Sequence, residues 1–316
     1  MRVLFLFLDG VGLGSADPVI NPFIKADMPH LESLLGGHRL TAETPLPLVT
    51  PGATLTSLDA SLGVEGLPQS ATGQAALLTG KNVPGIIGYH YGPKPNKEVA
   101  ACLNNGNLFT MLTKAGLQVA LLNAYPPRYF DGINSGHRLP GAIAMAAYQA
   151  GIHLMTAEDL YQGNAISADL TGMAWREHLG YRDAPLLSPP QAGARLAELS
   201  RRYKFSLFEY WLTDVAGHNQ DMDGACKLLE TLDQILGGLQ DTWDDDGLIL
   251  LVSDHGNLEN LSTRRHTTNP VPLLLIGNLA LRERFVENMR KESTTGNDLT
   301  QVYKAVLHML APGIPV

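Results

Sequence analysis

Two cysteines, Cys102 and Cys226, in 316 residues leave no disulfide framework and no CxxC metal site. Charge is scarce as well: charged residues make up 17% of the chain, 31 acidic against 23 basic, with no basic run. A net charge of −8 argues against a nucleic-acid or anionic-membrane surface, though a local pocket for phosphate is compatible with it. Long hydrophobic runs are missing too. Nothing approaches the roughly 20 apolar residues of a membrane span. The stretch VLFLFL (3–8) is cut by Asp9 too early for a secretion signal. These absences lead to the expectation of a soluble, cytoplasmic protein without nucleic-acid or membrane partners. The 45% hydrophobic fraction still allows a sizeable core, and the length suits one large α/β domain or a core with an insertion.

What is present concentrates at residues 247–260, GLILLVSDHGNLEN. The aliphatic run Leu248–Val252 leaves no face for water, as in a central strand of a parallel sheet covered by helices on both sides. Asp254 and His255 follow where the backbone leaves the sheet, and the carboxyl ends of strands are where open α/β sheets bind ligands. Alone, such a pair reads equally as a turn or a cap. Residues 2–8 read as a buried first strand that presents Asp9 in the same way. The glycines of DGVGLG (9–14) have the wrong spacing for a dinucleotide fingerprint, and Ser15–Pro18 reads as loop.

Further along, 29–35 reads as a short helix and 40–52, rich in Pro and Thr, as an irregular loop. QSATGQAALLTG (69–80) reads as a buried helix closed by Gly80, with Ser70 or Thr72 at an N-terminus that favours an anion. Such a hydroxyl is an N-cap, or a nucleophile if a cation lies nearby. Residues 108–123 read as helix then strand. Residues 126–199 read as an inserted lobe or cap between core segments 1–125 and 200–316, with a helix near 191–202 marking the return. FSLFEYWLTDVAGH (205–218) is expected as a strand ending in Asp214, with His218 able to converge on the same ion. A helix then carries Ala225, Leu228, Leu229, Leu232, Ile235, Leu236 and Leu239 on one face. His266 precedes a further apolar strand, 271–276, and 298–310 forms a closing amphipathic helix.

Three acids, three histidines and one hydroxyl suit a two-metal site holding Zn²⁺ or Mn²⁺ better than Ca²⁺ or Mg²⁺, which prefer oxygen alone. LDG at 8–10, D-x-x-G-H at 214–218, S-D-H-G-N-x-E at 253–259 and the late His266 resemble, in order and spacing, the alkaline phosphatase superfamily of metalloenzymes. The nearest resemblance is to the branch with cofactor-independent phosphoglycerate mutase, phosphopentomutase and the nucleotide pyrophosphatase/phosphodiesterases. It implies an alkaline-phosphatase-like α/β core, mostly parallel, with helices on both faces. It also implies one divalent ion held by Asp9, Asp254, His255 and the nucleophile oxygen, and a second held by Asp214, His218 and His266. By the same resemblance Ser70 stands at the reactive position, with Thr72 as the fallback, and Gln74 stands where the mutases carry His. Asn257, Lys81, His90, Arg128 and Arg138 are candidates to bind a small phosphorylated substrate. The expected activity is phosphoester hydrolysis, monoester or diester, through a phosphoserine. A phosphomutase and a catalytically inactive metal-bound binding protein are the alternatives. The sequence sets no oligomeric state.

Overall fold

Seven strands form one sheet in the computed structural model, which describes residues 1–291 and 296–313. They are β1 (Arg2–Leu8), β2 (Leu48–Val49), β3 (Ala53–Leu58), β4 (Val119–Leu121), β5 (Phe205–Tyr210), β6 (Gly247–Val252) and β7 (Val271–Gly277). Their order across the sheet is β2-β3-β7-β6-β1-β5-β4. β1 lies between β6 and β5, parallel to both, and every one of its residues is buried. Successive strand side chains point to opposite faces, so β1 feeds two cores. Leu4, Leu6 and Leu8 pack beneath the helices Pro189–Ser200 and Met222–Thr242, while Val3, Phe5 and Phe7 pack beneath Ser70–Thr79 and Thr300–Leu310. Burying such a side chain stabilises by about 1.5–3 kcal/mol, which makes this double coverage the main support of the sheet.

The structure differs from the sequence reading in three places that matter for the site. First, β5 stops at Tyr210, and Asp214 lies in the first turn of a helix, Leu212–Asn219, so Asp214 and His218 are one helical turn apart. Second, β7 runs antiparallel to β6. The intervening stretch, 253–270, contains no helix to make a crossover back to the far edge, and without one a strand can only return alongside. Third, Leu48–Val49 is a strand inside the 40–52 segment that the sequence reads as irregular, and it pairs with Ala53–Leu58, which runs antiparallel to β7. The Thr54 hydroxyl of β3 is held by the fully buried Arg282, whose guanidinium also donates to the carbonyls of Thr50, Pro51 and Gly277.

Segment 126–199 carries four short helices and the start of Pro189–Ser200. One of the four, Ala142–Gln149, packs into the core against Ser70–Thr79, Lys97–Asn104 and Leu108–Lys114. Ile166 returns to the sheet edge as a parallel bridge partner of Asn123. Among the described residues no helix is long and apolar enough to cross a membrane.

Candidate metal centre

Because β1, β5 and β6 are parallel, their carboxyl ends share one edge, and Asp9 and Ser253–His255 leave the sheet side by side there. The antiparallel β7 begins at that same edge, which delivers His266, five residues before Val271, to it as well.

Asp9, Asp254 and His255 form the first cluster, with ligand-type atoms all within 4.8 Å of one another. Asp9 Oδ1 lies 3.3 Å and Asp254 Oδ2 3.6 Å from His255 Nε2. Ser70, the first residue of its helix, puts Oγ 3.0 Å from the same nitrogen. The Thr72 hydroxyl turns away and donates to the carbonyls of Gln69 and Tyr91. In the second cluster Asp214 Oδ2 is 3.2 Å from His218 Nε2 and Oδ1 is 3.7 Å from His266 Nε2; the two Nε2 atoms are 3.4 Å apart. The clusters touch: the His255 and His266 rings stack with centroids 3.7 Å apart, and Asp214, His255 and His266 also offer atoms within 4.8 Å of one another.

The surroundings fix which atoms face the centre. His266 Nδ1 lies 2.8 Å from the Pro68 carbonyl and His218 Nδ1 2.8 Å from the Arg264 carbonyl. A carbonyl only accepts, so Nδ1 carries the hydrogen in each ring and the Nε2 lone pair is left for a metal, the usual outer-shell arrangement of ligand histidines. Asn257 Nδ2 donates to Asp214 Oδ1 at 2.7 Å, and Gln74 Nε2 donates to Asp9 Oδ2 at 3.3 Å and Asp254 Oδ2 at 3.2 Å. The Thr213 hydroxyl donates to the Asp9 carbonyl at 2.6 Å, and the Ser253 hydroxyl accepts from Val11 N–H at 2.9 Å. Fully buried Glu259 ties the loops together. Its Oε2 accepts from Gly12 N–H at 2.9 Å and Asn257 N–H at 2.8 Å, and its Oε1 accepts from the Asn269 amide at 3.0 Å and from the Thr267 hydroxyl. Position 12 must be glycine for this approach, since a Cβ there would meet Glu259 Oε1 at 2.5 Å.

These groups frustrate one another's charge. Burial, then the neighbouring Asp254 carboxylate, raises the Asp9 pKa, and burial raises that of Asp254. For His255 burial acts downward, but Asp254, Asp9 and Asp214 together outweigh it and push the ring up to about 10. Burial and then the His255 charge push His266 down. Asp9 Oδ1 is buried without a hydrogen-bond donor. A divalent cation answers all of these at once, because it favours ionised carboxylates and neutral imidazoles. The donor set, carboxylates mixed with imidazoles, fits a divalent metal ion.

Lys81 follows the far end of the ten-residue Ser70–Thr79 helix, roughly 16 Å from Ser70 by helical rise. His90 Nε2 is at hydrogen-bond distance, 3.3 Å, from the Val64 carbonyl and directly precedes Tyr91, whose carbonyl accepts from Thr72 N–H, and Arg138 sits over the Tyr129 ring 5.4 Å from its centroid. Arg128 is exposed on the helix Pro127–Asn134. Asn257 is at the centre, but as the clamp on Asp214. Sequence reasoning assigned no role to Glu259, Ser253 or Thr213; the first two stand within the 253–259 motif, which was their only signal.

Residues 191–310 match a family model described as the Metalloenzyme superfamily, a span that contains Asp214, His218, Asp254, His255 and His266. A 2,3-bisphosphoglycerate-independent phosphoglycerate mutase of Hahella chejuensis is 34% identical over 110 residues, 31% of this chain and 21% of that protein, so the match spans about a fifth of the relative's length. Among solved structures, alkaline phosphatase from the Antarctic bacterium TAB5 superposes with a TM-score of 0.53 at 12% identity, covering 98% of this chain and 97% of that one. Thermus thermophilus alkaline phosphatase gives 0.52 at 14% identity, covering 98% and 91%. Residues 191–310 are thus similar to the Metalloenzyme superfamily model, and over nearly its whole length the chain has an alkaline-phosphatase-like fold.

Proposed function

We propose that this protein is a metal-dependent phosphoryl-transfer enzyme that hydrolyses a phosphate ester through a phosphoserine at Ser70. The observation that carries this reading is the Ser70 hydroxyl, 3.0 Å from His255 Nε2 and so inside the Asp9–Asp254–His255 cluster. Asp9, Asp254 and His255 would hold one divalent ion with Ser70, and Asp214, His218 and His266 a second. Bound there, Mn²⁺ or Zn²⁺ supplies the positive charge that lowers the hydroxyl's pKa and offsets the charge of the phosphoryl oxygens. The chain's own part is positional. Ser70 gives its proton to solvent water and its oxygen bonds to phosphorus as the bond to the leaving oxygen breaks, the leaving oxygen taking a proton from solvent; water then attacks phosphorus, breaks the bond to the Ser70 oxygen and returns a proton to it, releasing phosphate. Opening a helix, Ser70 lies at the end where the helix dipole favours phosphoryl oxygens, although the Thr72 N–H is already taken by the Tyr91 carbonyl. Gln74 holds Asp9 and Asp254 with an amide that has no proton to exchange at neutral pH, which favours release to water over return of the phosphoryl group to a retained intermediate.

The similarity to phosphoglycerate mutases favours a second reading, an intramolecular phosphomutase. One assay separates them: the purified Mn²⁺ and Zn²⁺ forms are incubated with aryl monoesters, aryl diesters, 3-phosphoglycerate and ribose 1-phosphate. Release of free phosphate or alcohol supports hydrolysis. Isomerised product without net phosphate release overturns it in favour of the mutase. Ser70→Ala should keep both metals and lose turnover; unchanged turnover removes Ser70 from the role.

A further inference from the structure

The helix Leu212–Asn219 presents three adjoining stripes. Thr213 and Gly217 are buried, the first donating to the Asp9 carbonyl and the second packed where a Cβ would meet Asn257 Cγ at 2.6 Å. Next come Asp214 and His218, the ligand stripe. Beyond it lie Trp211, which caps the helix, and Val215, one turn apart through the Val215 N–H to Trp211 carbonyl bond at 3.4 Å. At roughly 100° per residue, Trp211 lies about 20° around the axis from His218 and Val215 about 60° from it. Both are exposed, Trp211 at 42% and Val215 at 40%. Single exposed apolar residues are ordinary. Here a large aromatic and a β-branched residue form the row next to two metal-type ligands, Trp211 three residues before Asp214 and Val215 three before His218, which gives the ligand row an apolar lip on its exposed side.

We infer that Trp211, supported by Val215, is a specificity-determining residue that stacks a planar aromatic substituent on the phosphate ester, so that aryl or heteroaryl phosphates are preferred over small aliphatic ones. This rests on the phosphate-ester reading above and narrows its substrate class. Neighbouring rows of a helix are about 5–6 Å apart, a span that one ester oxygen and half a ring can bridge. The polar faces of small sugar or glycerate phosphates gain nothing from such a lip.

The test measures binding, so it does not depend on turnover. Mn²⁺-loaded wild type, Trp211→Phe, Trp211→Ala and Val215→Asp are titrated calorimetrically with phenylphosphonate and methylphosphonate, after metal content is matched. Wild type and Trp211→Phe should bind the phenyl compound on the order of tenfold more tightly than the methyl one. That ratio should fall towards one in Trp211→Ala and drop in Val215→Asp. Trp175 is buried and Trp243 half-buried, so phenylphosphonate should quench the emission of Trp211, a change absent from Trp211→Phe. An undiminished ratio in Trp211→Ala, no phenyl preference in wild type, or no binding of either phosphonate overturns the inference. A phenyl preference lost in Trp211→Ala without turnover of any ester upholds the lip and sinks the hydrolase reading alone.

Discussion

Replacing Glu259 by Gln should destabilise the metal-free protein by about 3 kcal/mol, although shape and volume hardly change. The carboxylate accepts four hydrogen bonds in full burial, two on each oxygen. A glutamine keeps one accepting oxygen. The two backbone donors, Gly12 and Asn257, cannot turn, so the amide oxygen must stay with them and the NH₂ group must face Thr267 and Asn269. The Thr267 hydroxyl can rotate and accept, and the Asn269 amide must flip or lose its partner. Hydrogen bonds to a charged group contribute about 1.5–3 kcal/mol against about 0.5–1.5 for neutral ones. Two bonds reduced by roughly 1 kcal/mol each, with one further bond lost, give the figure. Gly12→Ala attacks the same carboxylate from the other side, so the double variant should lose less than the sum of the singles. The assay is urea unfolding in chelator, repeated with Mn²⁺. Added metal should recover less stability in the variant, because Thr267 adjoins His266 and Asn257 clamps Asp214. A variant within 1 kcal/mol of wild type, or more stable, refutes the reasoning. It would mean that the desolvation of the carboxylate outweighs its four bonds.

Glu209→Gln should flatten the pH dependence of the metal-free protein. Burial and then the Asp9 carboxylate push Glu209 up to about 8. The folded state therefore holds a proton that the unfolded chain loses near its ordinary 4.5, and wild-type stability falls as pH rises from about 4.5 to 8. The full shift corresponds to about 5 kcal/mol, halved to roughly 2–3 because part of the residue still meets solvent; parallel stability curves for the two proteins would rule this out. Asn257→Leu should weaken metal binding at the Asp214 position about 10- to 100-fold while sparing the Asp9 position. Calorimetric titration giving two unchanged affinities would count against the clamp. Arg282→Met strands three carbonyls and a hydroxyl, and should cost about 3 kcal/mol or more by urea unfolding; a loss below 1 kcal/mol would show the pocket repacks.

Strands buried on both faces are legible from the pattern, because an unbroken aliphatic run as short as 248–252 has no better use than a strand covered on both sides. Residues directly after them, Asp9 and Asp254, were therefore placed with them. The sequence reads as a strand ending in Asp214, which instead lies on a helix, since WLTDVAGH fits either until the turn after Tyr210 is known. β3 has no signal as clear as an aliphatic run, because Thr and Ser interrupt ATLTSL, and the buried Arg282 that satisfies the Thr54 hydroxyl is far away in sequence. Lys81 shows the opposite error: near Ser70 in sequence, it is separated from it by the length of a helix.

The hairpin between β6 and β7 has a use beyond delivering His266. Residues 253 and 270 are both pinned to one rim of the sheet, so extra chain placed between them must bulge over the cavity mouth and cannot disturb strand register. Its crest, Ser262 with Arg264 and Arg265, is already solvent-exposed. Doubling a loop's length costs only about 0.6 kcal/mol in closure entropy. An insertion at Ser262 therefore lengthens the loop outside the strands, whereas one at Arg264 would move the carbonyl that holds His218, so only the Ser262 end of the crest is free to retune the entrance independently of the chemistry beneath.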